Sequence, residues 1–199
     1  MKTTVVSTST AANAKVFPLE EVKDHLRLER GYMEEDDHLN SLYEVARDYV
    51  QEITNRKLVT QTIDYKLDQW PKDEHIALPY GNLQTVTHVK YVDVDNSTAT
   101  LSSTAYSLDT VSYKGRVVLG YGDDWPTATL HPNNPITVRF TCGYGLSSQV
   151  PSPIKQAMKL LISDLYENRE PVILGQGLDM VETKVVRRLL APYRIWEEQ

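Results

Sequence analysis

The feature that most constrains the fold is a hydrophobic period that changes twice along the chain. Over residues 17–56 apolar side chains return at helical spacing: Leu19, Val22 and Leu26 in one run, then Leu39, Leu42, Tyr43, Ala46, Tyr49, Val50 and Ile53 in a second. That spacing lines one face of a 3.6-residue helix. Over residues 58–145 the period becomes two. Ile63, Tyr65 and Leu67 alternate with Thr62, Asp64 and Lys66, and Ile136, Val138, Phe140 and Cys142 alternate with Thr137, Arg139 and Thr141. Residues 76–78, 86–92, 106–108 and 117–119 are further short strand candidates. Turn-forming residues separate them at Pro79-Tyr80-Gly81-Asn82, Asp95-Asn96, Lys114-Gly115 and the Pro-rich stretch 125–135. Beyond residue 152 the helical period returns. Helices that bracket a run of short strands predict an α+β chain. Its architecture would be a helical bundle with a small antiparallel β-domain, a sandwich or barrel, inserted into one connection.

Local signals place the boundaries. Pro18 suits a first helical turn, where its missing N–H would have no partner. The carboxylates of Glu34, Glu35, Asp36 and Asp37 favour the positive end of a second helix, and Asn55, tolerant of the left-handed conformation, should stop it. Ser152-Pro153 reads as a cap followed by proline at the first helical position. Ile154, Ala157, Leu161 and Leu165 should line one face of that helix, with Met158 and Ile162 beside it. A last helix over about 179–190 would bury Val181, Val185 and Leu189 and end at Pro192. The division is then a flexible arm over 1–16, rich in Ser, Thr and Ala, a helical domain over 17–57 and 146–190, a β-domain over 58–145, and a C-terminal arm over 191–199.

Composition narrows function by exclusion. A net charge of −6 argues against a protein that grips phosphates, which requires clustered Lys and Arg. One cysteine, Cys142, rules out an intramolecular disulfide and any cysteine-based zinc cluster. The segment before Ala12-Asn13-Ala14 lacks the apolar stretch of a signal peptide, and no run approaches the ~18 apolar residues of a membrane span. The five histidines form no i, i+4 pair. Asp93-Val94-Asp95-Asn96-Ser97 starts like a calcium loop but has Thr98 and Thr104 where glycine and a bidentate glutamate belong, so a polar hairpin turn is the better reading. Gly175-Gln176-Gly177 follows a helix, and Met180 stands at the third glycine position of a dinucleotide loop. No catalytic, cofactor or metal site is expected. Two other readings stay open: an enzyme with a dispersed site, and a carbohydrate-binding β-domain using Trp70, Trp125 and Tyr121.

Six segments taken together carry a resemblance: "LEEVKDHLRLE" (19–29), "DDHLNSLYEVARDYVQEITNRKLVTQT" (36–62), "LPYGNLQTVTHVKYVD" (78–93), "ITVRFTCGYG" (136–145), "VPSPIKQAMKLLISDLYENRE" (150–170) and "LLAPYRIW" (189–196). In this order the chain resembles the head–tail connector, or adaptor, proteins of long-tailed bacteriophages. The resemblance implies a non-enzymatic head-completion protein of the virion, made in the host cytoplasm. It implies a homo-oligomeric ring of about twelve copies below the portal protein, closed by cyclic symmetry. The helical bundle would form the ring body, with the β-insertion outside it. The ring would extend the DNA channel without binding DNA specifically, and offer a platform to a tail-proximal stopper or tail-completion protein. No membrane is involved.

Two sets of residues are expected to make the contacts. Glu167, Arg169 and Glu170 crowd charge at a helix end, where Arg169 could fork onto a neighbour's carboxylate or cap its own helix. Tyr193, Arg194, Ile195 and Trp196 follow Pro192 and should leave the bundle as an extended arm. Fully burying one such apolar side chain is worth roughly 1.5–3 kcal/mol, so the arm is expected to insert into the portal or a neighbouring subunit.

Overall fold

The structure, a computed structural model, describes residues 3–7, 14–168 and 184–196, with backbone alone for 3–7. It divides into two compact units. One takes Met1–Ala14 with Arg56–Gly145, the other Lys15–Asn55 with Leu146–Gln199.

The first unit is built of strands: β1 (Thr3–Ser7), β2 (Gln61–Leu67), β3 (His75–Ala77), β4 (Leu83–Val92), β5 (Thr98–Thr100), β6 (Tyr106–Asp109), β7 (Arg116–Leu119) and β8 (Ile136–Cys142). They form a five-stranded sheet, β1-β2-β8-β4-β5, and a three-stranded sheet, β3-β7-β6, all antiparallel and not closed into a barrel. Alternation in β2 and β8 sets the register. Phe140 lies between Ile63 and Val86, Val138 between Tyr65 and Val89, and Ile136 between Leu67 and Tyr91. These rows, joined by Ile76, Leu78, Leu83, Val117 and Cys142, make one apolar core. Two register shifts in β4, at Leu83/Thr85 and Val86/His88, break its alternation, as bulges do. Gly143 closes β8 at φ 126°, and a Cβ there would stand 2.5 Å from the Val59 carbonyl oxygen, so backbone approach excludes any side chain.

Residues 3–7, expected to belong to a flexible arm, instead pair with β2, Thr3 against Leu67 and Ser7 against Ile63. Their β-branched composition (Thr, Thr, Val, Val) suits an edge strand, and β2 would otherwise leave its backbone groups open. The Asp93–Ser97 segment is a hairpin turn: the Asp93 carboxylate accepts from the Asp95 and Ser97 amides, and Asn96 takes φ 59°.

The second unit contains α1 (Leu19–Leu26), α2 (Asp36–Thr54), α3 (Ser152–Glu167) and α4 (Lys184–Leu190). Asn55 ends α2 in the left-handed conformation, φ 52°, its backbone N–H returning to Gln51 and Glu52. Arg27 ends α1 the same way at φ 59°. Ser152 is the first residue of α3 rather than its cap; Pro151 takes the cap position, and its carbonyl accepts from the Ile154 and Lys155 amides. The faces also rotate relative to expectation. Helix α3 buries Ile154, Ala157, Met158 and Ile162, leaving Leu161 and Leu165 half-buried. Helix α4 buries Val186 and Leu190, while Val185 is 53% exposed and Val181 lies outside the described residues. Helix α3 packs against α1, α2 and α4, so the choice of buried side follows the neighbours on both flanks.

Candidate functional site: assembly surfaces

Polar bonds tie the elements of the helical unit to one another. Lys23 on α1 is 4% exposed. Its ammonium donates to the carbonyls of Tyr32 (2.6 Å) and Arg30 (3.3 Å) and lies 2.6 Å from the Asp36 carboxylate at the start of α2. The buried ammonium thus has two carbonyl acceptors and a carboxylate counter-charge, which ties the loop over 27–35 to α1. Arg30 adds two bonds to Asp24, holding that carboxyl below its ordinary range. Lys159 on α3 reaches Glu21 on α1 at 2.7 Å and covers the Phe17 ring. Burial pushes the Tyr43 phenol upward; its oxygen accepts from the amides of Val16 and Phe17.

The end of α3 is secured by its own chain. The Asn168 amide and side chain both donate to the Asp164 carbonyl, and the side chain also reaches the Asp164 carboxylate. Tyr166 donates to Glu35 at 2.6 Å and its ring meets His38. Glu167 is exposed, whereas Arg169 and Glu170 lie outside the described residues.

The C-terminal segment departs from the extended arm. Pro192 falls within a 3-10 turn over Ala191–Tyr193, and the chain then returns to α2, where the Ile195 amide donates to the Thr54 carbonyl. Ile195 is buried and spent on its own unit. Proline tolerates the first turn of a tight helix, so it redirects the chain without releasing it. Tyr193 is half-buried and Arg194 exposed. The Arg194 guanidinium sits 4.1 Å from the centroid of the Trp196 ring, which is 70% exposed. Ile195 therefore works as an anchor that presents Arg194 and Trp196 outward.

The strand unit has cation–aromatic pairs of its own, Lys57 over Tyr80 at 4.3 Å and Arg56 over Tyr144 at 5.9 Å, but these residues are buried or half-buried. Trp70 and Trp125 stack on each other, centroids 5.0 Å apart and 7° from parallel, with Tyr91 against the Trp70 edge. Each indole thereby covers a face of the other, while Tyr121 is fully exposed and stacks on neither. Among the described residues no three His, Cys, Asp or Glu side chains gather as metal ligands. Cys142 is buried, and desolvation pushes its thiol to about 12, which leaves it unreactive.

Residues 18–117 match the family model described as phage gp6-like head-tail connector protein. The chain belongs to this family. The connector's fold is also that of solved neck proteins. One, from the neck of an empty GTA particle computed with C6 symmetry, shares 23% identity over 98% of this chain and 97% of its own, with a TM-score of 0.80. A second, from the neck of a native GTA particle computed with C12 symmetry, shares 21% over 98% and 97%, at 0.76. A third, from the virion of a native gene transfer agent particle, shares 24% over 100% and 98%, at 0.76. No curated protein sequence matches the connector. The family and these structural neighbours are connector and neck proteins rather than enzymes, and the connector's role is structural, in a phage-type virion.

Proposed function

We propose that the connector assembles head-to-tail into a closed ring of about twelve copies beneath the portal, extends the DNA channel, and gives a tail-proximal stopper or tail-completion protein its docking surface. The observation that carries this reading is family membership joined to a full-length likeness to neck proteins from particles computed with six- and twelve-fold symmetry. The net charge of −6 supports it, because an acidic channel lets DNA pass where clustered cations would hold it. Assembly would take place in the host cytoplasm before the protein becomes part of the virion.

Within this reading Tyr193, Arg194 and Trp196 meet the portal or a neighbouring copy, with Ile195 holding them in place. Aromatic and arginine side chains are the usual anchors of interfaces, and an exposed tryptophan over a guanidinium is a ready one. Glu167, Arg169 and Glu170 are the second proposed contact, between ring subunits. The test is portal binding by the full chain and by a chain carrying Arg194→Ala and Trp196→Ala. The double variant should keep its fold and lose most of its affinity. Unchanged affinity would remove the C-terminal segment from the portal contact. Truncation after Leu190 is a poorer test, since it also deletes the buried Ile195.

A further inference from the structure

Two helix faces of the helical unit are left uncovered and carry opposite charge. On α2 the residues Asp37, Ser41, Glu44, Val45, Asp48 and Glu52 are all exposed. At 3.6 residues per turn they fall within about 100° of arc, opposite the buried Leu39, Tyr43, Ala46 and Val50. Val45 is 53% exposed, midway along the helix axis and at one edge of this arc. Asp48 pairs with its neighbour Arg47 at 2.8 Å; Asp37, Glu44 and Glu52 form no ion pair among the described residues. Glu44, Asp48 and Glu52 repeat at i, i+4, a spacing at which like charges weaken a helix on its own. On α4 the exposed side holds Lys184, Val185 and Arg188, away from the buried Val186 and Leu190, and Val185 is also 53% exposed. Each face is thus a half-exposed valine at the edge of a stripe of one sign of charge.

We propose that the α2 face of one copy docks on the α4 face of the next. Val45 packs against Val185, and Lys184 and Arg188 meet Glu44, Asp48 and Glu52. Charge complementarity selects a second copy as the occupant, because one chain carries both halves of the match. Nucleic acid is repelled from the α2 stripe. A contact between two different faces is heterologous, so it propagates from copy to copy and closes as a ring when the rotation allows. The inference rests on the ring reading above and names its seam.

Full-length chains carrying Val45→Cys are mixed with chains carrying Val185→Cys under mild oxidation, with and without portal. Buried Cys142, its thiol raised to about 12, does not compete. The mixture should give a disulfide-linked heterodimer that neither chain gives alone. Adding Glu44→Lys and Asp48→Lys to the first chain should cut the yield about tenfold, the scale of a few interfacial ion pairs lost together. Adding Lys184→Glu and Arg188→Glu to the second chain as well should restore it. A heterodimer no more abundant than either homodimer, or a yield blind to charge reversal, overturns the seam. A ring that forms on portal without this cross-link sinks the seam and leaves the ring reading intact. The cross-link without any ring does the reverse.

Discussion

The two units differ in where they leave surface charge without a partner. In the strand unit, carboxylates on the sheet surfaces are partnered within the chain. Arg139 forks onto Asp64 across β8 and β2 with two bonds of 2.7 Å, and Asp109 accepts from Ser112, Val111 and Arg116, which holds its carboxyl far below the ordinary range. In the helical unit the buried Lys23 is also partnered, by two carbonyls and the Asp36 carboxylate, yet the outer faces of α2 and α4 hold carboxylates and cations apart. A surface whose charges are satisfied internally has little left for a neighbour. A surface that segregates them retains both specificity and direction. In the ring proposed above, the helical unit is accordingly the part expected to make the contacts between copies.

The largest expected effect is in the strand core. Phe140→Ala should cost about 3–5 kcal/mol, because the residue is fully buried between Ile63 and Val86. Hydrogen exchange should locate the loss in β2, β4 and β8. Protection lost equally in α2 and α3 would mean that the units unfold as one. Lys23→Ala should come next, at about 1–3 kcal/mol, since it leaves Asp36 and two carbonyls without their partner. Faster exchange over residues 28–35 is the expected signature, and an unchanged rate there would show that the loop does not depend on Lys23.

Acid should separate the units further. The Arg139 hydrogen bonds, followed by its charge, hold the Asp64 carboxyl below its ordinary value against an opposing effect of burial. Its contribution is therefore complete above the unfolded value near ~3.9 and is lost as pH falls through the lower folded value. Wild type should exceed Asp64→Asn in stability at about pH 6, and the gap should close in strong acid. A gap that widens on acidification would reverse this assignment. The smallest effect on stability is expected for Trp196→Ala, within about 0.5 kcal/mol, because the ring is 70% exposed. A large drop in melting temperature would show that Trp196 belongs to the fold rather than to an interface.

What the sequence made legible followed local chemistry. The α+β class, most of the strands, the Asn55 stop and the Asp93 turn all rest on period or on residues with special backbone freedom. What it hid depended on distant partners. The Thr98–Thr100 strand is too short to show a period, and β1 is defined by its pairing with β2, far along the chain. The buried side of α4 passes from Val185 to Val186 because neighbouring helices, not the helix's own pattern, decide which valine is covered. Nothing in the local sequence marks Lys23 as buried; residues 30, 32 and 36 do so by supplying oxygens to its ammonium. In the C-terminal segment the aromatic and arginine residues were evident from the sequence. That Ile195 anchors and Trp196 projects was not, since it hinges on one bond to Thr54.

The most direct test of the central claim, that copies of this chain join through their helical units, is electron microscopy of the full-length connector bound to its portal. The expected image is a closed ring of about twelve copies in which α2 of each subunit faces α4 of the next. A two-fold dimer, or a ring joined through the strand units with both helix faces left in solvent, would contradict it.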